Sequence, residues 1–226
     1  MLKEKTSYEL YVELSELIGE MNGNITFNMG GLSAIIDSSD IVGSSIQSWL
    51  ESWLKKNDYY YHKPLNSQKF PDFYLSSVAP NDNMLEIKTF RKKNGPAFDI
   101  ANYEAYLESL IENPHRLFAD YLILSYEMDE SGHIKIIDIW LKKIWEITGT
   151  SKKYPLKVQE KRGVIYNIRP NTDFKDYKDG CFDNADELLI ALYETQEIYK
   201  NKQVADLWKS RFEENQSLYT YKKLKS

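Results

Sequence analysis

Asp72, Glu86 and Lys88 are the residues of this chain whose types and spacing suit chemistry on a phosphate ester. Two carboxylates supply the hard oxygens that Mg²⁺ prefers. That ion usually takes one or two of them and fills its remaining positions with waters and phosphate oxygens. An amine beside the pair can orient or deprotonate a water and balance charge. Hydrolysis of a phosphodiester near neutral pH has those requirements: a proton must leave water, extra negative charge must be offset, and the departing oxygen must be stabilised.

The three side chains act together only if the backbone brings them to one place. Phe70-Pro71-Asp72-Phe73-Tyr74-Leu75 reads as the start of a strand, Pro80-Asn81-Asp82-Asn83 as a turn, and Met84 to Phe90 as a second strand. An antiparallel hairpin of this kind sets Asp72 beside Glu86. Lys88 follows Glu86 by two residues and so points to the same face, while Leu85 and Ile87 point to the other and enter the core. A plainer alternative is that Glu86 and Lys88 form a solvated pair on an exposed sheet face.

The elements around this hairpin follow from periodicity. Residues 7–22 read as a helix, with Leu10, Leu14 and Leu17 at helical spacing and Asn22-Gly23 ending it. Residues 23–43 read as a loop around a short helical piece. A helix over about 43–57 places Ile46, Trp49, Leu50, Trp53 and Leu54 on one face, which makes both tryptophans core residues. Tyr59 to His62 reads as a short strand. After the hairpin, Asp99 is expected to cap a helix over about 100–112, with Tyr106 in its core. Residues 119–127 are an almost unbroken apolar run, as in a buried strand. Further strands are expected at 133–140 and 163–168, a short helix from Leu141, and helices at about 184–200, capped by Asp183, and 202–214. The fold class is therefore α/β, a mixed central sheet flanked by helices.

Composition bounds the rest. With 226 residues the chain suits one domain and can bury a core without disulfides or zinc. The lone Cys181 excludes an intramolecular disulfide and a cysteine zinc site, and His62, His115 and His133 are too scattered for a zinc hydrolase. The polar amino-terminal stretch lacks the apolar run of a signal peptide, and no segment reaches the ~18 apolar residues of a membrane span. A cytoplasmic protein with no membrane partner is the expectation. A net charge of −5 argues mildly against bulk nucleic-acid binding, although local basic patches decide that property.

The pattern Pro71-Asp72…Glu86-Ile87-Lys88 resembles the signature of the PD-(D/E)XK nucleases. The order of elements resembles theirs too: a helix, a strand pair with the acids and the lysine, a helix, then a buried strand. Glu86 stands where a second Asp is commoner. In that superfamily the helix before the first catalytic strand often supplies a further acid. Glu51 is the matching position here, with Gln47 one turn earlier. Gly43-Ser44-Ser45-Ile46-Gln47-Ser48-Trp49-Leu50-Glu51 and Leu85-Glu86-Ile87-Lys88-Thr89-Phe90 resemble type II restriction endonucleases of the NgoBV kind over about residues 40–145.

The resemblance implies a restriction-endonuclease-like fold in a single domain of residues 1–226, with a catalytic core at about 40–145. Residues 146–226 would then provide DNA recognition and dimer or packing elements. It implies Mg²⁺ held by Asp72, Glu86 and the Ile87 carbonyl, double-stranded DNA as substrate, and a homodimer cutting a short palindromic site. Arg91, Lys92, Lys93 and Asn94, in the basic loop after the second strand, are candidates to hold DNA phosphates. The stretch from Thr148 to Arg169 is the most basic of the chain, and Asn167 and Arg169 are its candidates for base contacts. Two other readings stay open: a repair or structure-specific nuclease on the same core, and a DNA-binding module without activity.

Overall fold

Alternation of apolar residues and short turn sequences set the strands, and the i, i+4 recurrence of aliphatic residues sets the helices. The computed structural model describes residues 2–66, 69–176 and 180–218. Among them it holds ten strands and five α-helices, and the chain divides into two compact units.

The first unit is Met1–Phe98 with Ala119–Lys142. Its helices are α1 (Ser7–Glu16) and α2 (Val42–Lys56). Its strands are β1 (Asn22–Asn24), β2 (Thr26–Met29), β3 (Leu32–Ile35), β4 (Phe73–Tyr74), β5 (Met84–Arg91), β7 (Asp120–Met128) and most of β8 (His133–Lys143). Five of them form a sheet in the order β1-β8-β7-β5-β4. It is mixed, as expected: β4 and β5 are antiparallel, whereas β5 and β7 are parallel. Leu85, Ile87, Leu122 and Leu124 from the sheet bury one continuous core with Leu10 and Leu14 of α1 and Val42, Ile46, Leu50 and Leu54 of α2.

Helix α1 is shorter than expected. It starts on a capping box, with Thr6 accepting from Glu9 N–H and the Glu9 carboxylate accepting from Thr6 N–H, and a separate 3₁₀ turn follows at Ile18–Glu20. The buried stripe of α2 runs Val42, Ile46, Leu50, Leu54, each one turn from the last. This rotates Trp49 off the core, leaving it 41% exposed, and corrects the expectation that it is buried. Trp53 packs partly against the core.

The stretch expected as a loop with a helical piece instead contains β1 and a hairpin of β2 and β3. Gly30 and Gly31 turn that hairpin with φ of +58° and +80°. Only glycine takes such a pair without cost, and two left-handed residues are what a tight hairpin turn requires. Tyr59 and His62 make single bridges, to Lys3 and Tyr74, in place of the expected strand.

The second unit is Asp99–Phe118 with Lys143–Ser226. It contains β6 (Ala101–Asn102), α3 (Tyr103–Glu112), β9 (Val158–Lys161), β10 (Val164–Ile168), α4 (Ala185–Tyr199) and α5 (Lys202–Leu218). The strands order as β6-β10-β9. The expected caps are displaced: Asn102, not Asp99, caps α3, and Asn184, not Asp183, caps α4. In each case the asparagine lies directly before the first helical residue, where its side chain can reach an unpaired N–H. Tyr103 and Tyr106 are fully buried, and the Trp208 indole donates to the Leu107 carbonyl at 3.0 Å, fixing α5 on α3. Among the described residues no helix is long and apolar enough to cross a membrane.

Candidate active site

The β4–β5 pairing builds the site. Its register sets Phe73 opposite Leu85 and Tyr74 opposite Met84. Continued by one residue, the same register sets Asp72 opposite Glu86, and opposite residues share a face. Phe73, Leu85 and Ile87 point into the core. Asp72, Glu86 and Lys88 take the other side and line one cavity of about 330 Å³ with Gly43, Gln47, Ile87, Thr89 and Phe98. The Phe70–Pro71 bond just before Asp72 is cis.

Both Asp72 oxygens are engaged by donors. The Ile87 backbone N–H donates to Oδ2 at 2.7 Å, and the Gln47 amide donates to Oδ1 at 2.6 Å. Helix α2 can deliver Gln47 because it comes close to β5 at its amino end. A Cβ built on Gly43 would stand 3.1 Å from the Thr89 hydroxyl, so helix and strand approach closely here. Lys88 Nζ lies 3.0 Å from a Glu86 carboxylate oxygen, and both side chains are largely buried.

The electrostatics follow from burial. Loss of water around Asp72, and then the charge of Glu86, push its pKa up to about 7. The Ile87 N–H, Lys88 and Lys63 act in the opposite direction without cancelling the rise. A carboxylate buried beside another carboxylate is short of positive charge, and a divalent cation would provide it. The cavity lining offers the hard oxygens of two carboxylates, with no sulfur or imidazole. That set fits Mg²⁺ and does not fit zinc. Among the described residues no group of three or more His, Cys, Asp or Glu side chains forms a metal cluster. A metal here would therefore take its remaining ligands from backbone, water and substrate.

The structure does not bring Glu51 to this cavity. Its carboxylate accepts from Lys55 and Lys63 at 2.9 Å each and from the Tyr61 hydroxyl at 2.9 Å. The Lys55 and Lys63 hydrogen bonds hold its pKa down at about 2. Gln47, one turn earlier on α2, occupies the place beside Asp72 expected for Glu51. Sequence periodicity puts both residues on the same side of α2. Only the seating of the helix on β5 separates them.

The other candidates fall into two groups. In the first unit, the Arg91 guanidinium donates to the Met128 carbonyl and ties the end of β5 to the end of β7. Lys92, Lys93 and Asn94 form an exposed 3₁₀ turn directly after β5. In the second unit, Asn167 donates to Gln159 at 3.2 Å, and Arg169 forms an ion pair with Asp99.

Comparison with known proteins adds a second line to this geometry. The model of the NgoBV restriction endonuclease family matches residues 4–226. The type II restriction enzyme NlaIV of Neisseria lactamica is 36% identical over 216 residues, covering 92% of this chain and 88% of its own. The type II restriction enzyme NgoBV of Neisseria gonorrhoeae is 33% identical over 162 residues, covering 70% of this chain and 90% of its own. Among solved structures, the NlaIV restriction endonuclease superposes with a TM-score of 0.87 at 34% identity, over 96% of this chain and 91% of that one. On its sequence, its fold and the length of the match, the chain belongs to the NgoBV restriction endonuclease family.

Proposed function

We infer that this chain is a type II restriction endonuclease that hydrolyses phosphodiester bonds of double-stranded DNA at a short specific site, with Mg²⁺ as cofactor. The observation that carries this reading is the meeting of Asp72, Glu86 and Lys88 in one cavity, in a chain matched by a restriction endonuclease family over nearly its whole length.

In this reading Asp72 and Glu86, with the Ile87 carbonyl, hold the cation. Bound there, Mg²⁺ would lower the pKa of a water and offset the charge that gathers on the phosphate. Gln47 and the Ile87 N–H fix the rotamer of Asp72, so its oxygens are oriented before substrate arrives. Lys88 orients the attacking water and, as an ammonium, faces the charge that develops on the non-bridging oxygens. An oxygen–phosphorus bond forms in line, the bond to the 3′ oxygen breaks, and the products carry a 5′-phosphate and a 3′-hydroxyl.

The rest of the chain serves recognition. Lys92, Lys93 and Asn94 stand exposed at the end of the strand that bears Glu86 and Lys88, in place to grip phosphates. Asn167 and Arg169 in the 146–226 part are the candidates for base contacts. A palindromic site needs one active site per strand, which calls for a two-fold homodimer. DNA as substrate places the enzyme's work in the cytoplasm.

Digestion of plasmid DNA with and without Mg²⁺, followed by sequencing of the ends, tests the reading. Discrete fragments with 5′-phosphates are expected with Mg²⁺ alone. Intact plasmid with Mg²⁺ or Mn²⁺ would overturn it, and a smear or a preference for branched DNA would replace sequence specificity with structure specificity.

A further inference from the structure

The β9–β10 hairpin of the second unit runs on past its sheet as a two-stranded ribbon. Strand β6 pairs only with Asn167 and Ile168 of β10. From there toward the turn, β9 and β10 pair with each other alone, Ile165 opposite Glu160 and Val164 opposite Lys161. The two faces differ. Ile165 and Ile168, 3 and 0% exposed, anchor the inner one. Gln159 and Asn167, and nearer the turn Lys161 and Val164, are cross-strand partners on the outer one. The register shifts between Ile165 and Asn167, and this bulge turns Tyr166 outward as well, 45% exposed.

The turn between the strands is Arg162-Gly163, with φ of +55° and +78°. Two left-handed residues make the tight hairpin turn whose usual first residue is Asn, Asp or Gly. A longer L side chain is disfavoured there, because its Cβ crowds the following carbonyl. The stability of the turn therefore does not explain an arginine. What the position does give is an exposed guanidinium at the tip of the ribbon.

Charge says what the ribbon meets. Between Thr148 and Arg169 the chain carries six lysines and arginines and one acid, Glu160. Glu160 lies opposite the inward Ile165, and Lys153 pairs with its carboxylate. Arg169 is paired with Asp99. Lys161 and Arg162 are both exposed, and among the described residues neither side chain has an ion-pair partner. The tip and outer face thus carry uncompensated positive charge and no carboxylate, the complement of a phosphate backbone. They also carry groups that read bases. Asn167 donates to Gln159 at 3.2 Å, so one carboxamide orients the other and the pair keeps further donors and an acceptor for a base edge. The dimensions agree: the major groove of B-DNA, about 12 Å wide, admits a two-stranded ribbon.

We propose that the β9–β10 hairpin is a recognition ribbon that enters the major groove of the target DNA, with Arg162 at its tip holding a guanine through O6 and N7. Lys161 beside it contacts a phosphate, and the Asn167–Gln159 pair faces the bases behind the tip. This deepens the reading of the chain as a site-specific DNA-cutting enzyme, on which it rests, and names the tip arginine as the principal reader of sequence.

Selection from a randomised duplex pool tests the proposal, with Ca²⁺ in place of Mg²⁺ so that binding is read without cutting. Wild type is compared with Arg162→Gly. Glycine suits the left-handed position, so the variant should melt no lower than wild type. If it does melt lower, Arg162→Asn, with the usual residue of such a turn, takes its place. The wild type is expected to select a short motif. The variant should lose one guanine position of it, keep the rest, and bind the wild-type motif about 10- to 100-fold more weakly, the size of a lost bidentate contact. An unchanged motif at unchanged affinity overturns the ribbon, and so does a wild type that selects no motif. Weakening spread evenly over all sequences, with the salt slope reduced by about one, makes Arg162 a phosphate contact only and also overturns it. Cutting separates the proposal from the function it rests on. A wild type that selects its motif but leaves it intact in Mg²⁺ or Mn²⁺ sinks the nuclease and keeps the ribbon. Discrete sites that Arg162→Gly cuts as well as wild type sink the ribbon and keep the nuclease.

Discussion

Gln47 and Asp72 meet across 25 residues of sequence, with the amide nitrogen 2.6 Å from Oδ1. The contact ties α2 to the strand that bears the first acid. Together with the Ile87 N–H on Oδ2 it leaves the carboxylate one orientation. Replacing Gln47 by Leu removes one of these donors and leaves an acid oxygen without its partner. Single-turnover cleavage should slow by about 10- to 100-fold with DNA affinity nearly unchanged, the size of effect seen when a partner that orients a metal ligand is lost. Gln47→Glu, which repels Asp72, should be worse than Gln47→Leu at pH 7 and should recover partly as pH falls.

The raised pKa of Asp72 has a consequence for stability. Folding favours its protonated form, so its contribution is fully present below the ordinary carboxylate value of 3.8 and is lost as pH rises through about 7. In metal-free buffer, Asp72→Asn should therefore be more stable than wild type at pH 8, by up to ~4 kcal/mol, and equal to it near pH 3.5. Thermal melts with EDTA across that range measure it. Asparagine can keep both contacts if the Gln47 amide turns to offer its oxygen.

Divalent cation should act on the same charge deficit. Adding millimolar Mg²⁺ to the wild type without DNA should raise its Tm, because binding to the folded state alone shifts the equilibrium. The Tm of Asp72→Ala should not respond. The same variant should lose at least ~10³-fold in cleavage while retaining DNA binding, as expected when a cation clamp is removed from the chemical step. Filter binding in Ca²⁺ beside plasmid cutting in Mg²⁺ separates the two readouts.

Lys88 and Glu51 should part company. Lys88→Met removes the amine 3.0 Å from Glu86 and should cost ~10²- to 10⁴-fold in cleavage rate. Glu51→Gln, whose partners are Lys55, Lys63 and Tyr61, should leave the rate within a few-fold of wild type and lower Tm slightly. A loss in Glu51→Gln as large as that in Lys88→Met would return Glu51 to the chemistry.

Gly43 controls how closely α2 approaches β5. Gly43→Val should crowd the Thr89 hydroxyl and displace Gln47 from Asp72, lowering both Tm and cleavage rate. Gly43→Ala places its Cβ at 3.1 Å and should be mild, since the Thr89 side chain can shift.

Local chemistry along the chain was enough for several parts of this protein. The hairpin that joins Asp72 to Glu86 and Lys88 is written in a turn sequence between two short apolar runs, and strand geometry alone puts residues 86 and 88 on one side. The apolar run at 119–127 reads as an interior strand, and Asp120–Met128 forms one. The four-residue recurrence in α2 revealed its helix. The β2–β3 hairpin was also present in the residues, as two alternating stretches around Gly30-Gly31, but the polar and glycine-rich composition masked it.

Packing decided what spacing could not. Gln47 and Glu51 lie one turn apart, and nothing in their order says which will face Asp72. The close approach allowed by Gly43 chose Gln47, while Lys63, arriving from outside the helix, claimed Glu51. Trp49 fell off the buried stripe, which runs through Val42, Ile46, Leu50 and Leu54. Arg91 was drawn from solvent by the Met128 carbonyl, which only the parallel pairing of β5 with β7 brings within reach. Sequence period assigns a side chain to a face. Which neighbour it meets there depends on contacts between segments far apart in the chain, and those exist only once the sheet and helix have docked.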